Sequence, residues 1–203
     1  MGERESGGSS GSGKLTAKDW FSDEFLLSRE LIERVFTKYR RSDSIDTAIY
    51  TIVKMRSTGE TACKTTLNSA YGIYPDAEFG FVLRKCGSPI ASIWFDVPDT
   101  GVLFVKQIQG KKGLKEDLCA FRWERMLIRL LVEWARGRSF KEVRVVRGLY
   151  QEWCRDWEDR KKKFFMIYDV SAKREGFAPG TMYHWLVLNH EGGMCDESPH
   201  RKA

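Results

Sequence analysis

The stretch Val102-Leu103-Phe104-Val105-Lys106-Gln107-Ile108-Gln109-Gly110-Lys111-Lys112-Gly113, read on to Phe177, decides the fold. Residues 102–108 carry the apolar content of a strand, and Gln107 to Gly113 closes it with a glycine turn. Residues 121–136 then place Met126, Leu127, Leu130, Leu131 and Trp134 at helical spacing, with Gly137 suited to the position just past the helix end. Residues 142–147 follow as a short strand through Val143, Val145 and Val146. Strand, long helix and strand in that order imply a right-handed crossover to a parallel neighbour.

Upstream, Phe79, Phe81 and Leu83 alternate in a strand over 78–86. Gly87-Ser88-Pro89 turns it into a second strand over 90–97, and Pro98-Asp99-Thr100-Gly101 leads into the third. Two helices are expected before this antiparallel meander. Leu31, Ile32, Val35, Phe36 and Tyr39 define the first, and Ile45, Ala48, Ile49, Ile52 and Val53 predict a second that starts at Asp43 or Ser44. Downstream, a helix carries Tyr168 and Ala172, and residues 183–188 form a last strand. Residues 1–14, with the run Gly7-Gly8-Ser9-Ser10-Gly11-Ser12-Gly13, can bury nothing and read as a tail or linker. Residues 15–190 are expected to form a single α/β (α+β) domain with a mixed central sheet flanked by helices, and residues 191–203 a flexible C-terminal tail.

A chain of 203 residues with 42% hydrophobic and 13% aromatic content suffices for one core. The 34 basic and 28 acidic residues are interspersed, so a net +6 admits phosphate-bearing partners and equally a solvated surface. Cys63, Cys86, Cys119, Cys154 and Cys195 form no C-x-x-C pair, and His184, His190 and His200 have no ligand spacing with them. The pattern predicts reduced thiols, no metal and a cytoplasmic protein. No apolar run reaches the roughly 20 residues of a membrane helix.

Two motifs resemble the GNAT superfamily of N-acetyltransferases. Gln107-Ile108-Gln109-Gly110-Lys111-Lys112 is similar to that family's Q/R-x-x-G-x-G/A loop, with Lys112 in place of the last small residue and Gly113 one position late. The resemblance implies that Gln107, Ile108, Gln109, Gly110, Lys111, Lys112 and Gly113 hold the pyrophosphate of acetyl-CoA or another acyl-CoA, because glycines and unpaired amides favour close approach by an anion. The second motif is residues 168–177, whose Gly176-Phe177 ending resembles a Y-x-x-x-G-F helix end. The family's tyrosine, which protonates the departing thiolate, would fall on Ala172, and Tyr168 lies one turn earlier on the same face. Tyr168 is thus either the catalytic acid or a buried, hydrogen-bonded core tyrosine. The segment from Gln107 onward also resembles VirK-type acetyltransferase-like proteins.

No base is evident. Asp96 and Glu142 stand at strand ends and either could deprotonate an amine, but surface carboxylates are common there, and Cys154 lacks a neighbouring base. Three functions follow as alternatives. The first is an acyl-CoA-dependent N-acyltransferase acting on an unknown small-molecule or protein amine, and the second is a catalytically inactive GNAT-like binding domain. The third is a nucleic-acid-associated module using Lys111, Lys112, Lys115, Arg160, Lys161, Lys162 and Lys163, which ranks last because these lie in two separate places without a nucleic-acid motif.

Overall fold

A computed structural model describes residues 27–57, 73–99, 101–138, 140–151, 154 and 158–188. The expected tails at 1–14 and 191–203 lie outside the described residues. Helix α1 (Arg29–Tyr39) begins where the Ser28 hydroxyl accepts the Leu31 N–H at 3.2 Å, and it buries Ile32, Val35, Phe36 and Tyr39.

The second helix predicted from Asp43 is absent. Asp46 caps only a short 3-10 turn, Thr47–Ile49, and the chain then enters strand β1, Tyr50–Arg56. Ile45, Ile49, Ile52 and Val53 satisfy a helical spacing, but Tyr50-Thr51-Ile52-Val53 is a β-branched and aromatic run that favours a pleated surface. Pairing with β2 (Phe79–Lys85) over the full length of β1 decides the matter.

Strands β1, β2, β3 (Ser88–Asp99) and β4 (Val102–Gly110) form an antiparallel meander one strand longer than expected. After a short helix α2 (Lys115–Cys119), helix α3 (Trp123–Arg136) crosses to β5 (Glu142–Val146), which pairs parallel to β4. The chain continues through α4 (Glu158–Phe164), a π-helical turn (Phe165–Val170) and α5 (Ser171–Arg174), and ends in the short β6 (Ala178–Pro179) and β7 (Tyr183–Val187). The sheet order is β1-β2-β3-β4-β5-β7-β6. The domain is therefore a mixed α/β sheet flanked by helices, in the class the crossover motif predicts. Among the described residues no helix is long and apolar enough to cross a membrane.

Helix α3 holds the core together. Eight of its fourteen residues are buried, and Trp134 meets Phe81, Phe95 and Phe140 at ring separations of 5.3, 6.0 and 5.7 Å. Burying each such aromatic contributes about 1.5–3 kcal/mol before conformational entropy is counted. On the inner edge of α3, Arg125 meets the buried Glu175 carboxylate at 2.7 Å, and the Tyr39 hydroxyl donates to that carboxylate's other oxygen. This contact ties α1, α3 and the end of α5 into one face.

Candidate functional site: the covered edge of strand β4

Strands β4 and β5 pair from Val102 opposite Glu142 to Val105 opposite Val145, and the ladder stops there although β4 runs on to Gly110. The break coincides with a bulge. Phe95 of β3 faces Val105 while its neighbour Trp94 faces Gln107, so Lys106 is the extra residue. A bulge bends its strand and raises the local twist. Past it the outer edge of β4 has no strand partner among the described residues and is covered by buried side chains.

Two side chains occupy that edge. The Gln151 amide donates to the Lys106 carbonyl oxygen. The Tyr168 hydroxyl accepts the Ile108 N–H at 3.0 Å and donates to the Ile108 carbonyl at 3.4 Å. Tyr168 is 1% exposed, and burial pushes its phenol well above the ordinary tyrosine range, against the opposing pull of the Ile108 N–H. It therefore stays protonated at neutral pH.

The π-helical turn explains how one segment reaches both walls. Its wider turn carries Tyr168 and Asp169 side by side, and such turns recur at functional sites. Tyr168 engages β4, and Asp169 engages the β5 side. The Asp169 carboxylate accepts the Gly148 N–H at 2.8 Å, Arg147 Nε at 3.0 Å, and a contact with His184 Nε2 at 3.0 Å. His184 sits on β7 opposite Val145, and its Nδ1 is buried with no hydrogen-bond partner among the described residues. Gly148 lets the helix approach, because a Cβ there would lie 2.7 Å from the Phe164 carbonyl carbon.

The residues expected to hold a cofactor are divided by the structure. Gln107 shares the sheet face of its register partner Trp94, is 8% exposed, and keeps a buried Oε1 without a partner among the described residues. Ile108 supplies the edge amide already described. Gln109 spends its Oε1 on the Tyr74 N–H at 3.1 Å. Gly110 serves packing, since a Cβ would sit 2.8 Å from Leu118 and 3.0 Å from Trp123. The Lys111 N–H is bonded to the Ile90 carbonyl at 2.8 Å. Lys112 stands in the following turn and Gly113 takes φ +89° with open space around it. The helix after this turn, α2, has five residues, and the strong helix α3 begins only at Trp123, so no long helix points its free amides at the turn.

The candidate bases are engaged elsewhere. Asp96 pairs with Lys106 at 2.5 Å and accepts the Glu78 N–H, and Glu142 pairs with Arg144 at 2.8 Å. Cys154 is buried beside Gln151. The bulge at Lys106 and the groups Gln151, Arg147, Asp169 and His184 were not legible as a site, because strand pairing and a π-helical turn bring them together from four separate segments. The adjacent Tyr168-Asp169 pair was the one available signal.

No known protein family and no curated protein matches the chain. Parts of its fold are similar to solved structures at low identity. Against the GNAT family N-acetyltransferase YhbS from Escherichia coli in complex with CoA, identity is 13% over 55% of this chain and 59% of the other, with a TM-score of 0.37. The chain thus spans a little over half of that protein. The ribosomal-protein-S18-alanine N-acetyltransferase from Escherichia coli is 13% identical over 70% of this chain and 96% of the other, with a TM-score of 0.43. The IAA acetyltransferase from Bacillus cereus is 13% identical over 68% and 99%, with a TM-score of 0.38. The VirK-type resemblance has no counterpart among them.

Proposed function

We propose that the chain is an acyl-CoA-dependent N-acyltransferase whose β4 edge receives the pantetheine arm. The observation that supports this reading is the parting of β4 from β5 at the Lys106 bulge, which leaves Lys106 and Ile108 backbone groups met only by side chains. Pantetheine is an extended chain with two amides, and it can pair with a strand edge as a peptide does. Its entry requires the Tyr168 hydroxyl and the Gln151 amide to leave the edge. The diphosphate would then meet Lys111 and Lys112 at the end of β4.

The chain's own groups suit direct amine attack on a thioester. The Ile108 N–H, freed of Tyr168, donates to the carbonyl oxygen as negative charge grows on it. Tyr168, still protonated and released onto the departing sulfur, supplies the proton. The Gln107 Oε1, on the Trp94 face of the sheet, accepts a hydrogen bond from the incoming amine. As the C–N bond forms and the C–S bond breaks, the proton that the nitrogen loses returns to the Tyr168 phenolate left by protonating the sulfur. Rate is gained mainly by positioning.

One observation favours a second reading, a GNAT-like binding domain without transferase activity. Tyr168 is almost fully buried on a closed edge. Calorimetric titration with acetyl-CoA distinguishes the two. Saturable binding by the wild type, strengthened in Tyr168→Phe, supports the transferase reading. Absence of heat at millimolar acetyl-CoA in both proteins sinks it.

A further inference from the structure

The seam between α1 and α3 carries charge that the β4 site does not use. Glu133 on α3 holds three guanidiniums at once, Arg129 at 2.6 Å, Arg136 at 3.2 Å and Arg34 of α1 at 3.7 Å. Lys38, one turn beyond Arg34, lines the same groove of about 380 Å³ and has no carboxylate partner among the described residues. One carboxylate among four cations leaves the groove strongly positive.

The excess continues along both helices. Arg41 and Arg122 are exposed at the far end, held together by the backbone bonds Arg41 N–H to Ala120 and Arg122 N–H to Tyr39, and neither forms an ion pair among the described residues. From residue 122 to residue 136, α3 rises about 21 Å at 1.5 Å per residue. Arg34 and Lys38 stand one turn apart on α1, and Arg129 and Arg136 two turns apart on α3, so the helical cations form a row. Arg41, just past the end of α1, and Arg122, just before α3, extend it at one end.

We propose that this row binds the phosphodiester backbone of a nucleic acid without reading its sequence. Two features favour phosphates over an acidic protein surface. Protein interfaces depend on buried aromatic or aliphatic anchors, and none of the exposed large apolar side chains, Tyr74, Leu149, Phe165, Met166, Met182, Trp185 and Val187, lies on α1 or α3. Arginine forks at regular spacing instead match the repeated oxygens of a phosphate chain. The absence of exposed aromatics on the row also leaves no platform for stacking bases, so binding rests on charge alone. These residues differ from the two lysine groups that the sequence suggested, and the inference does not depend on the β4 edge.

The test is fluorescence anisotropy of a labelled mixed-sequence DNA duplex across a salt series. Four groove cations each neutralising one phosphate give a slope of log affinity against log salt of about −3 to −4. Arg34→Glu with Lys38→Glu alters exposed positions on α1, and circular dichroism checks that the fold is kept. It is expected to weaken binding at least about tenfold and to make the slope shallower by about 2. Lys162→Glu with Lys163→Glu on α4 is expected to change affinity by less than about threefold. Failure of the duplex to bind at low salt overturns the proposal. Equal losses from the two charge reversals, or equal competition by polyglutamate, overturn it as well, because the first indicates diffuse net charge and the second an acidic partner.

Discussion

Replacing Tyr168 by phenylalanine removes one oxygen from the β4 edge and separates structural from functional roles. The Ile108 N–H loses its 3.0 Å partner in a site where Tyr168 is 1% exposed, so it is left buried and unpaired. Such a donor costs about 1–3 kcal/mol. At about 2–4 °C per kcal/mol for a domain of this size, the melting temperature should fall by about 2–12 °C. The same free energy should reappear in binding with opposite sign. Wild-type protein must break the tyrosine bond before the thioester carbonyl can take its place, whereas the variant has nothing to break. Acetyl-CoA should bind the variant about 5- to 100-fold more tightly, at 1.4 kcal/mol per tenfold. Turnover should fall by about 10²–10⁴, because phenylalanine cannot protonate the thiolate. Thermal denaturation and calorimetry on the two proteins read all the thermodynamic quantities. A lowered melting temperature with unchanged acetyl-CoA affinity would refute the reasoning, since it would mean that the cofactor does not compete for this edge.

The remaining predictions concern the surrounding frame. Asp169→Ala leaves His184 Nε2 and the Gly148 N–H without their acceptor, while Arg147 keeps the Gly180 and Thr181 carbonyls, and it should cost about 1–3 kcal/mol in urea unfolding; Asp169→Asn, which can still accept hydrogen bonds, should recover part of that loss, and equal losses would count against the cluster. Burial raises both Tyr39 and Tyr168, so above about pH 10 the unfolded chain releases phenolic protons that the folded chain retains. Stability is therefore fully present below that pH and declines above it, by up to about 2.7 kcal/mol per unit for two tyrosines; a melting temperature that stays level from pH 9 to 11 would contradict this. Gly110→Ala should destabilise by about 1–3 kcal/mol in urea unfolding through contact with Leu118 and Trp123. That effect should persist with no ligand present.

The crossover from β4 through α3 to β5 was legible because its signals are local and agree. Leu127, Leu130, Leu131 and Trp134 repeat at helical spacing, and Val143 and Val145 alternate in a short strand. The segment at Ile49 to Val53 misled because one apolar set fits both periods, and only its register with β2 selects the strand. The glycine motif was legible as a turn, but the packing at Gly110 was not. Gly110 is required by Leu118 and Trp123, which arrive from helices eight and thirteen residues later. Tyr168 was visible as a candidate with two readings, and its hydrogen bonds to Ile108 realise the buried one in this conformation. The bulge at Lys106 has no glycine to announce it, so the end of the β4–β5 ladder beside it could not be inferred from composition.

The proposed activity requires the edge of β4 to exchange Tyr168 for an acyl-CoA. Amide NMR spectra recorded during an acetyl-CoA titration test it most directly, through the Ile108 N–H that the hydroxyl now holds. The account predicts a saturable shift of the Ile108 resonance together with the Gln151 side-chain amide. Saturation elsewhere in the protein with both of these resonances unmoved, or no shift at millimolar acetyl-CoA, would contradict it.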